Sequence, residues 1–315
     1  METILSIENL SVEYTIGKKI IPVVRDVSFT VDKNDSIAIV GESGCGKTTI
    51  ALSILNLLPK EAKITAGKVF FYNQQILQSG TKQLQKIRGK KIGFIFQDPL
   101  SSLNPVIKIG EQLRETLKIH GAVSTDAEIE KLLKMVQLDN PERIINSYPH
   151  QLSGGMRQRV MIAQALVPSP EILIADEPTT ALDTTIQKEI LELIKKLRSE
   201  LNLTVLFITH NFAIASDICN RIIVIYAGEI VEAGTTTEIL KYPEHPYTKA
   251  LLSAIPKRAI KQTRFTTIAG SVSDLIMFPQ GCKFQTRCPK KIEKCIIEQP
   301  QLKPKGTKLL RCFNL

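Results

Sequence analysis

No apolar run in the 315-residue sequence approaches the ~18–20 residues that a bilayer-spanning helix needs. A membrane role is therefore expected only through a partner. The opening METILSIENLSVEY alternates apolar and polar residues and lacks a basic leader followed by an apolar block, which predicts a cytosolic chain. There is no internal repeat and no low-complexity stretch, so solenoid and linker readings drop out. The tight C-x2-4-C pair of common zinc modules is missing from the cysteine-bearing tail. Excess charge is also missing from most of the chain, since residues 1–255 hold 28 Lys/Arg and 28 Asp/Glu. The formal net charge of +10 lies in residues 256–315, where 13 Lys/Arg face 3 Asp/Glu. Such a tail is either a solvated basic surface or a face for nucleic acid, anionic lipid or an acidic cofactor.

What is present is ordinary globular composition, 43% apolar and 23% charged. Residues 1–35 predict short strands with turns, and Val24, Val27 and Phe29 interleave with polar residues. SIAIV (36–40) is a continuous apolar strand of the kind buried on both faces. It runs into GESGCGKTT and a helical IALSILNLL that Pro59 should stop. KIGFIF (91–96) predicts another strand. IGEQLRETLKIHG and AEIEKLLKMVQL, within residues 105–150, predict an inserted helical subdomain. Strands then alternate with helices again. The helix TIQKEILELIKKLRSEL places Ile186, Ile190, Ile194, Leu197 and Leu201 on one face. This alternation argues for a parallel sheet covered on both faces. After about Gly234, prolines punctuate a loop-rich extension.

Gly41, Gly46, Lys47 and Thr48 satisfy G-x4-G-K-[ST] between a buried strand and a helix. Glycines let backbone N–H groups turn inward around phosphate oxygens, and the helix starting near Lys47 aims its positive end at the same anion. The loop residues Gly41, Glu42, Ser43, Gly44, Cys45, Gly46, Lys47, Thr48 and Thr49 are the expected ATP cradle. Lys47 reaches the β/γ-phosphates and the Thr48 hydroxyl serves Mg2+. Cys45 is expected to fill an ordinary variable position. ILIADEP (172–178) is an apolar strand ending in two carboxylates. Asp176 is placed to hold Mg2+, and Glu177 to orient or deprotonate the attacking water.

LSGGMRQR (152–159), taken with Gly41–Thr49, Gln97, Asp176–Glu177, ALD (181–183) and His210 in this order, resembles the nucleotide-binding subunits of ABC transporters over about residues 3–255. The resemblance implies an α/β P-loop ABC ATPase: a RecA-like core with an antiparallel β subdomain and an inserted helical subdomain. Residues 1–234 would form that domain, with 98–155 as the helical part, and 235–315 a loop-rich cysteine-containing extension. It implies catalytic roles for Glu177, His210 and Gln97, with Gln97 also contacting Mg2+ beside Thr48 and Asp176. It implies that Tyr14 stacks on adenine. Ser153, Gly154, Gly155 and Met156 would close on the ATP of the partner subunit, and Asp183 would cross the dimer interface. Met156 and Asn211 depart from the residues common at their positions. Neither departure removes a group assigned to chemistry.

GESGCGKT, IRGKKIGFIFQDPLSSLNP, LSGGMRQRVMIAQAL and HPYTKALL (245–252) are similar to the dipeptide/oligopeptide importers, and Met156 with ITAGKVFF to the first of their two unlike ATPase subunits. That implies a heterodimer with a second ATPase subunit, two transmembrane permeases, an extracytoplasmic substrate-binding lipoprotein and a peripheral place on the cytoplasmic face of the cell membrane. The nickel and glutathione importers share these motifs, so those substrates stay open. A soluble ABC-type ATPase acting on nucleic acid is the distant alternative suggested by the basic tail, although such factors usually fuse two cassettes and no nucleic acid partner is expected. Cys282, Cys288, Cys295 and Cys312 follow C-x5-C-x6-C-x16-C. A disulfide framework does not suit a reducing cytosol. A [4Fe–4S] cluster, whose negative charge the surrounding Lys and Arg would offset, zinc, and unliganded thiols are the remaining readings. Peptide-importer ATPases with a similar tail are associated with such a cluster. Cys219, far from the tail in sequence, is expected in the core.

Overall fold

Residues 3–32 fold as one long hairpin, β1 (Thr3–Ile16) against β2 (Lys19–Asp32). The sequence predicts short strands with turns over residues 1–35, and the structure joins them into two 14-residue strands. Both strands bend: Asn9 and Asp26 take φ of +50° and +48°, and the register shifts around them. The Asn9 side chain donates to Asp26 Oδ1 at 2.7 Å, and the Asn9 N–H donates to Ser28 Oγ at 2.7 Å. These bonds satisfy groups that the shifted ladder does not pair. β3 (Ser36–Val40) is buried along its whole length. α1 (Lys47–Ile54) follows the glycine turn and ends four residues before the predicted reach to Leu58. Asn56, at φ +50°, closes it. The N–H groups of Leu57 and Asn56 reach back to the carbonyls of Leu52 and Ser53, at 2.9 and 3.0 Å. This is the paired termination that a left-handed residue allows. β4 (Ala62–Phe71) and β5 (Gln74–Gln75) complete a four-stranded antiparallel sheet in the order β2-β1-β4-β5.

The structure is a computed structural model, and it describes residues 2–122, 124–180, 182–254 and 279–314. By its contacts the chain forms two units: Met1–Gln78 with Phe207–Leu315, and Ser79–Leu206.

In the second unit, α2 (Thr81–Ile87) leads to β6 (Ile92–Ile95), which pairs in parallel with β7 (Ile172–Asp176). Between these strands lie α3 (Pro99–Ser102), α4 (Ile109–Ile119), α5 (Asp126–Met135), α6 (Pro141–Asn146) and α7 (Gly154–Leu166). Ile109, Leu113 and Leu117 of α4 face inward with Ile129 and Leu133 of α5, as their helical spacing predicts. Buried Gln112 anchors the loop after α3. Its amide accepts from the Asn104 N–H at 3.0 Å and donates to the carbonyls of Asn104 and Ile107 at 3.0 and 2.8 Å. α8 (Thr184–Leu201) buries Ile190, Ile194 and Leu197 but leaves Leu201 43% exposed, so the predicted stripe stops one turn early. Leu191 and Leu193 are buried as well, giving the helix a wider covered face than one stripe.

β8 (Thr204–Thr209) carries the chain back into the first unit, followed by α9 (Phe212–Ile218), β9 (Arg221–Tyr226) and β10 (Glu229–Thr235). β9 lies parallel to β3 and antiparallel to β10. The extension holds more regular structure than its prolines suggest. α10 (Thr236–Lys241), α11 (Pro246–Ser253) and α12 (Lys294–Ile297) precede β11 (Lys303–Lys305) and β12 (Lys308–Leu310), and β12 pairs with β10. The run β11-β12-β10-β9-β3 therefore places extension strands outside the strand beside the phosphate loop. The extension also has buried side chains of its own. Phe284 sits 5.1 Å from the Tyr226 ring and 5.4 Å from the Tyr247 ring. Cys219 is buried, as expected.

Candidate functional site

The phosphate loop is shaped by glycines where nothing else fits. A Cβ at Gly41 would stand 2.3 Å from the Ile225 carbonyl oxygen, and Gly46 takes φ +100° as it opens α1. Lys47 is buried, and its ammonium donates to the carbonyls of Gly41 and Glu42, both at 3.0 Å. Ser43, Gly44 and Thr48 are exposed along the same turn. Cys45 is buried, and that burial pushes its thiol up to about 11 against the pull of Lys47. It stays S–H at neutral pH and acts as a small apolar filler. Tyr14, half-buried on β1, brings its hydroxyl to 3.5 Å from Thr49 Oγ1. His210 is exposed directly after β8. Asn211 caps α9 by accepting from the Ala213 N–H at 2.9 Å, a bond that an acidic residue could equally accept.

The other expected residues lie in the second unit. Asp176 closes the buried strand β7 and is 2% exposed. Glu177 follows with φ +43°, a backbone region that a long side chain rarely enters. Its carboxylate accepts from Thr180 Oγ1 at 2.8 Å. Strain of this kind gathers where a side chain must be aimed. Gln97 is exposed just after β6. Exposed Ser153 caps α7, accepting from the Met156 N–H at 3.2 Å. Gly155 packs against Ile186, where a Cβ would come within 2.7 Å of Cγ2. That glycine is thus required by packing, apart from any anion its helix end could meet. Asp183 caps α8 through Oδ1, which accepts from the N–H groups of Thr185 and Ile186 at 3.0 Å each. Tyr14, Gly41–Thr49 and His210 thus fall in one unit, and Gln97, Ser153–Met156, Asp176, Glu177 and Asp183 in the other.

The four tail cysteines share one neighbourhood, with Cys282, Cys288 and Cys312 each sensing other tail thiols electrostatically. Burial is the main force on these three, and it raises Cys282 to about 11. Among the described residues, however, no group of three or more His, Cys, Asp or Glu side chains is placed to hold a metal ion. The four thiols are therefore not drawn together around a single ion. Burial favours S–H, whereas ligation requires thiolates drawn together.

Sequence reasoning missed the neighbours of Glu42. The Glu42 N–H donates to the Tyr247 hydroxyl at 3.0 Å. Its carboxylate receives both arms of Arg287, at 2.8 and 2.9 Å. Tyr247 stood in view only within HPYTKALL, and Arg287 only as one of the five cations of GCKFQTRCPKKIEKC (281–295). The tail's charge is spent in the same manner elsewhere. Lys308 and Lys305 pair with Glu244, and Arg311 lies 4.0 Å from buried Glu229. Four of the tail's cations, Arg287, Lys305, Lys308 and Arg311, thus face Glu42, Glu229 and Glu244.

Residues 24–180 match the family described as ABC transporter, and residues 231–295 match the oligopeptide/dipeptide transporter C-terminal region. The chain is 44% identical over 299 residues to the dipeptide transport ATP-binding protein DppD of Bacillus subtilis, covering 94% of this chain and 89% of that one. It is 39% identical over 310 residues to the oligopeptide transport ATP-binding protein OppD of Haemophilus influenzae, covering 98% and 94%. Among solved structures, a dimeric ATP-binding cassette in a post-hydrolysis state bound to ADP and Pi aligns with a TM-score of 0.65 at 33% identity, over 74% of this chain and 98% of that one. CbiO1 from Clostridium perfringens, part of the ABC transporter complex cbiONQ, aligns with a TM-score of 0.64 at 26% identity, over 77% and 92%. The fold is that of an ABC ATPase. The chain belongs to the ATP-binding subunits of ABC transporters, in the dipeptide/oligopeptide branch marked by its C-terminal region.

Proposed function

We propose that this chain is the ATP-hydrolysing subunit that energises import of di- or oligopeptides. One observation carries the reading: an ABC cassette and the oligopeptide/dipeptide C-terminal region occur in a single chain. The relatives' names, dipeptide and oligopeptide transport ATP-binding proteins, support the substrate class. In this reading Gly41–Thr49 cradle the triphosphate and Tyr14 carries the adenine. Thr48, Gln97 and Asp176 supply the hard oxygen donors that Mg2+ takes, and the bound ion would neutralise phosphate charge. Glu177, held out of ordinary backbone geometry, orients or deprotonates the lytic water, and His210 hydrogen-bonds the γ-phosphate. Ser153–Met156 close on nucleotide held by a second, unlike ATPase subunit, and Asp183 reaches across that interface. Two permeases hold the pair at the cytoplasmic face of the cell membrane, and an extracytoplasmic binding protein delivers the peptide. Functionally, residues 1–234 act as the ATPase domain, with 98–155 as its helical part, and 235–315 as the extension.

The motion comes from binding. ATP held more tightly by the closed pair shifts the pair toward closure, and its loss after hydrolysis reopens it. Reconstituted with permeases and binding protein, the wild type should couple ATP hydrolysis to uptake of a labelled dipeptide. Glu177→Gln should keep MgATP bound while uptake and phosphate release fall by ~100-fold or more. Normal phosphate release by that variant would remove Glu177 from its role, and uptake of nickel or glutathione but no peptide would reassign the cargo.

For the tail, the same reading assigns Cys282, Cys288, Cys295 and Cys312 to a [4Fe–4S] cluster in preference to zinc. Thiols gathered in one neighbourhood without a close trio suit a multi-atom cluster better than a single ion with ~2.3 Å bonds. Anaerobically purified chain should carry about four iron and four sulfide per polypeptide. Less than half an iron, with the thiols still titratable, would leave the tail as packed free cysteines.

A further inference from the structure

We infer that Arg287 of the C-terminal extension is a positioning residue for nucleotide binding, holding the phosphate loop in shape through Glu42. The inference rests on the nucleotide-binding reading of Gly41–Thr49. Glu42 is the second residue of that loop, and its polar groups are all engaged. Its N–H goes to the Tyr247 hydroxyl at 3.0 Å, and its carbonyl accepts from the Lys47 ammonium at 3.0 Å. Its carboxylate takes the two-armed grip of Arg287 at 2.8 and 2.9 Å. Gly44 and Gly46 take φ of +79° and +100°, and Ser43 and Gly44 are exposed, so the tip of the loop between Glu42 and buried Cys45 has little side-chain restraint of its own. A glycine-rich loop binds best when its ordering has been met beforehand, and an external anchor does that.

The anchor is itself fixed. The Arg287 side chain is 6% exposed, and its guanidinium carbon lies 5.7 Å from the Tyr226 ring centroid. Three residues earlier, Phe284 packs among the rings of Tyr226, Tyr247 and His245. A guanidinium so desolvated is costly to leave without its carboxylate, so the pair persists. Lysine cannot replace it, because one ammonium does not reproduce a planar fork that meets both oxygens. The fork thus constrains both the position and the rotation of Glu42, whose carbonyl is an acceptor for Lys47. Turning Glu42 would move the phosphate-binding lysine with it.

The test measures MgATP affinity of the full-length chain by titration calorimetry, with Arg287→Ala, Arg287→Lys, Glu42→Gln and the Arg287→Ala/Glu42→Gln pair. Wild type binds MgATP, and both Arg287 variants bind about tenfold more weakly, within the ordinary range of site-to-site coupling. Arg287→Lys keeps the wild-type melting midpoint, which separates positioning from folding and carries the test should the alanine variant not fold. The double variant is no weaker than Arg287→Ala alone, because the two side chains act as one unit. Wild-type affinity in Arg287→Lys, or fully additive losses in the double variant, would overturn the inference and leave the nucleotide-binding reading intact. Failure of the wild type itself to bind MgATP would instead strike that reading.

Discussion

His245 is 2% exposed, with its ring committed on both sides. Nδ1 accepts from the Tyr247 N–H at 3.1 Å, which starts α11, and the ring donates to the Arg311 carbonyl. An accepting Nδ1 carries no proton, so the folded ring is neutral. Burial lowers its pKa from 6.5 to about 3. The unfolded chain therefore takes up a proton that the folded chain refuses as pH falls below about 6.5. Stability from this residue is full above that pH and declines toward pH 3, by at most ~1.4 kcal/mol per pH unit. His245→Asn keeps an acceptor for the cap but cannot ionise. Urea unfolding at pH 7, 6 and 5 should show the wild type losing its advantage over the variant step by step. Carboxylates titrate in both proteins and cancel in the difference. A gap that is constant with pH would mean that His245 titrates alike in the folded and unfolded chains.

At the scale of elements, what could be read from the sequence is what a short window determines. The unit β3–loop–α1 is legible because a buried strand, spaced glycines and Lys47 are contiguous. α4, α5 and α8 are legible because their apolar residues recur at helical spacing. The misreadings share a cause. Asn9 and Asp26 bend strands that continue through them, and Asn56 ends α1 before Pro59, where the sequence placed the stop. Which of these an asparagine or aspartate does depends on the opposing strand. Gly67, at φ +102°, meets Leu10 so closely that a Cβ would lie 2.6 Å from its Cα, and the sequence does not show that approach. The site divides in the same way. Gly41–Thr49 between a strand and a helix, and Asp176–Glu177 at a strand end, were legible as local patterns. The contacts that grip Glu42 come from 205 and 245 residues away, beyond any window. The cysteine spacing suggested a ligand set, but spacing does not fix whether thiols converge.

At the scale of the whole molecule, the extension supplies what the body lacks. Residues 1–255 carry no formal net charge, and the remaining residues bring the chain to +10. The extension also pairs β12 with β10 and places Phe284 over Tyr226 and Tyr247. A chain cut after residue 255 would lose all three at once. Its net charge would be near zero, a condition that favours association. The outer edge of β10 would offer free N–H and C=O groups to another copy. Aromatic faces now covered would meet water. These changes act in one direction, so the truncated chain should self-associate at neutral pH where the full chain does not. Light scattering and gel filtration at matched concentration provide the measurement. Moving to a pH well away from neutrality should restore charge and slow association, while the open edge and bare rings should keep the melting midpoint low. A truncated chain as dispersed and as heat-stable as the full one would make the extension an appendage. In that case its ion pairs with Glu42, Glu229 and Glu244 would be surface ornament, worth no more than the ~0–1 kcal/mol of an exposed pair.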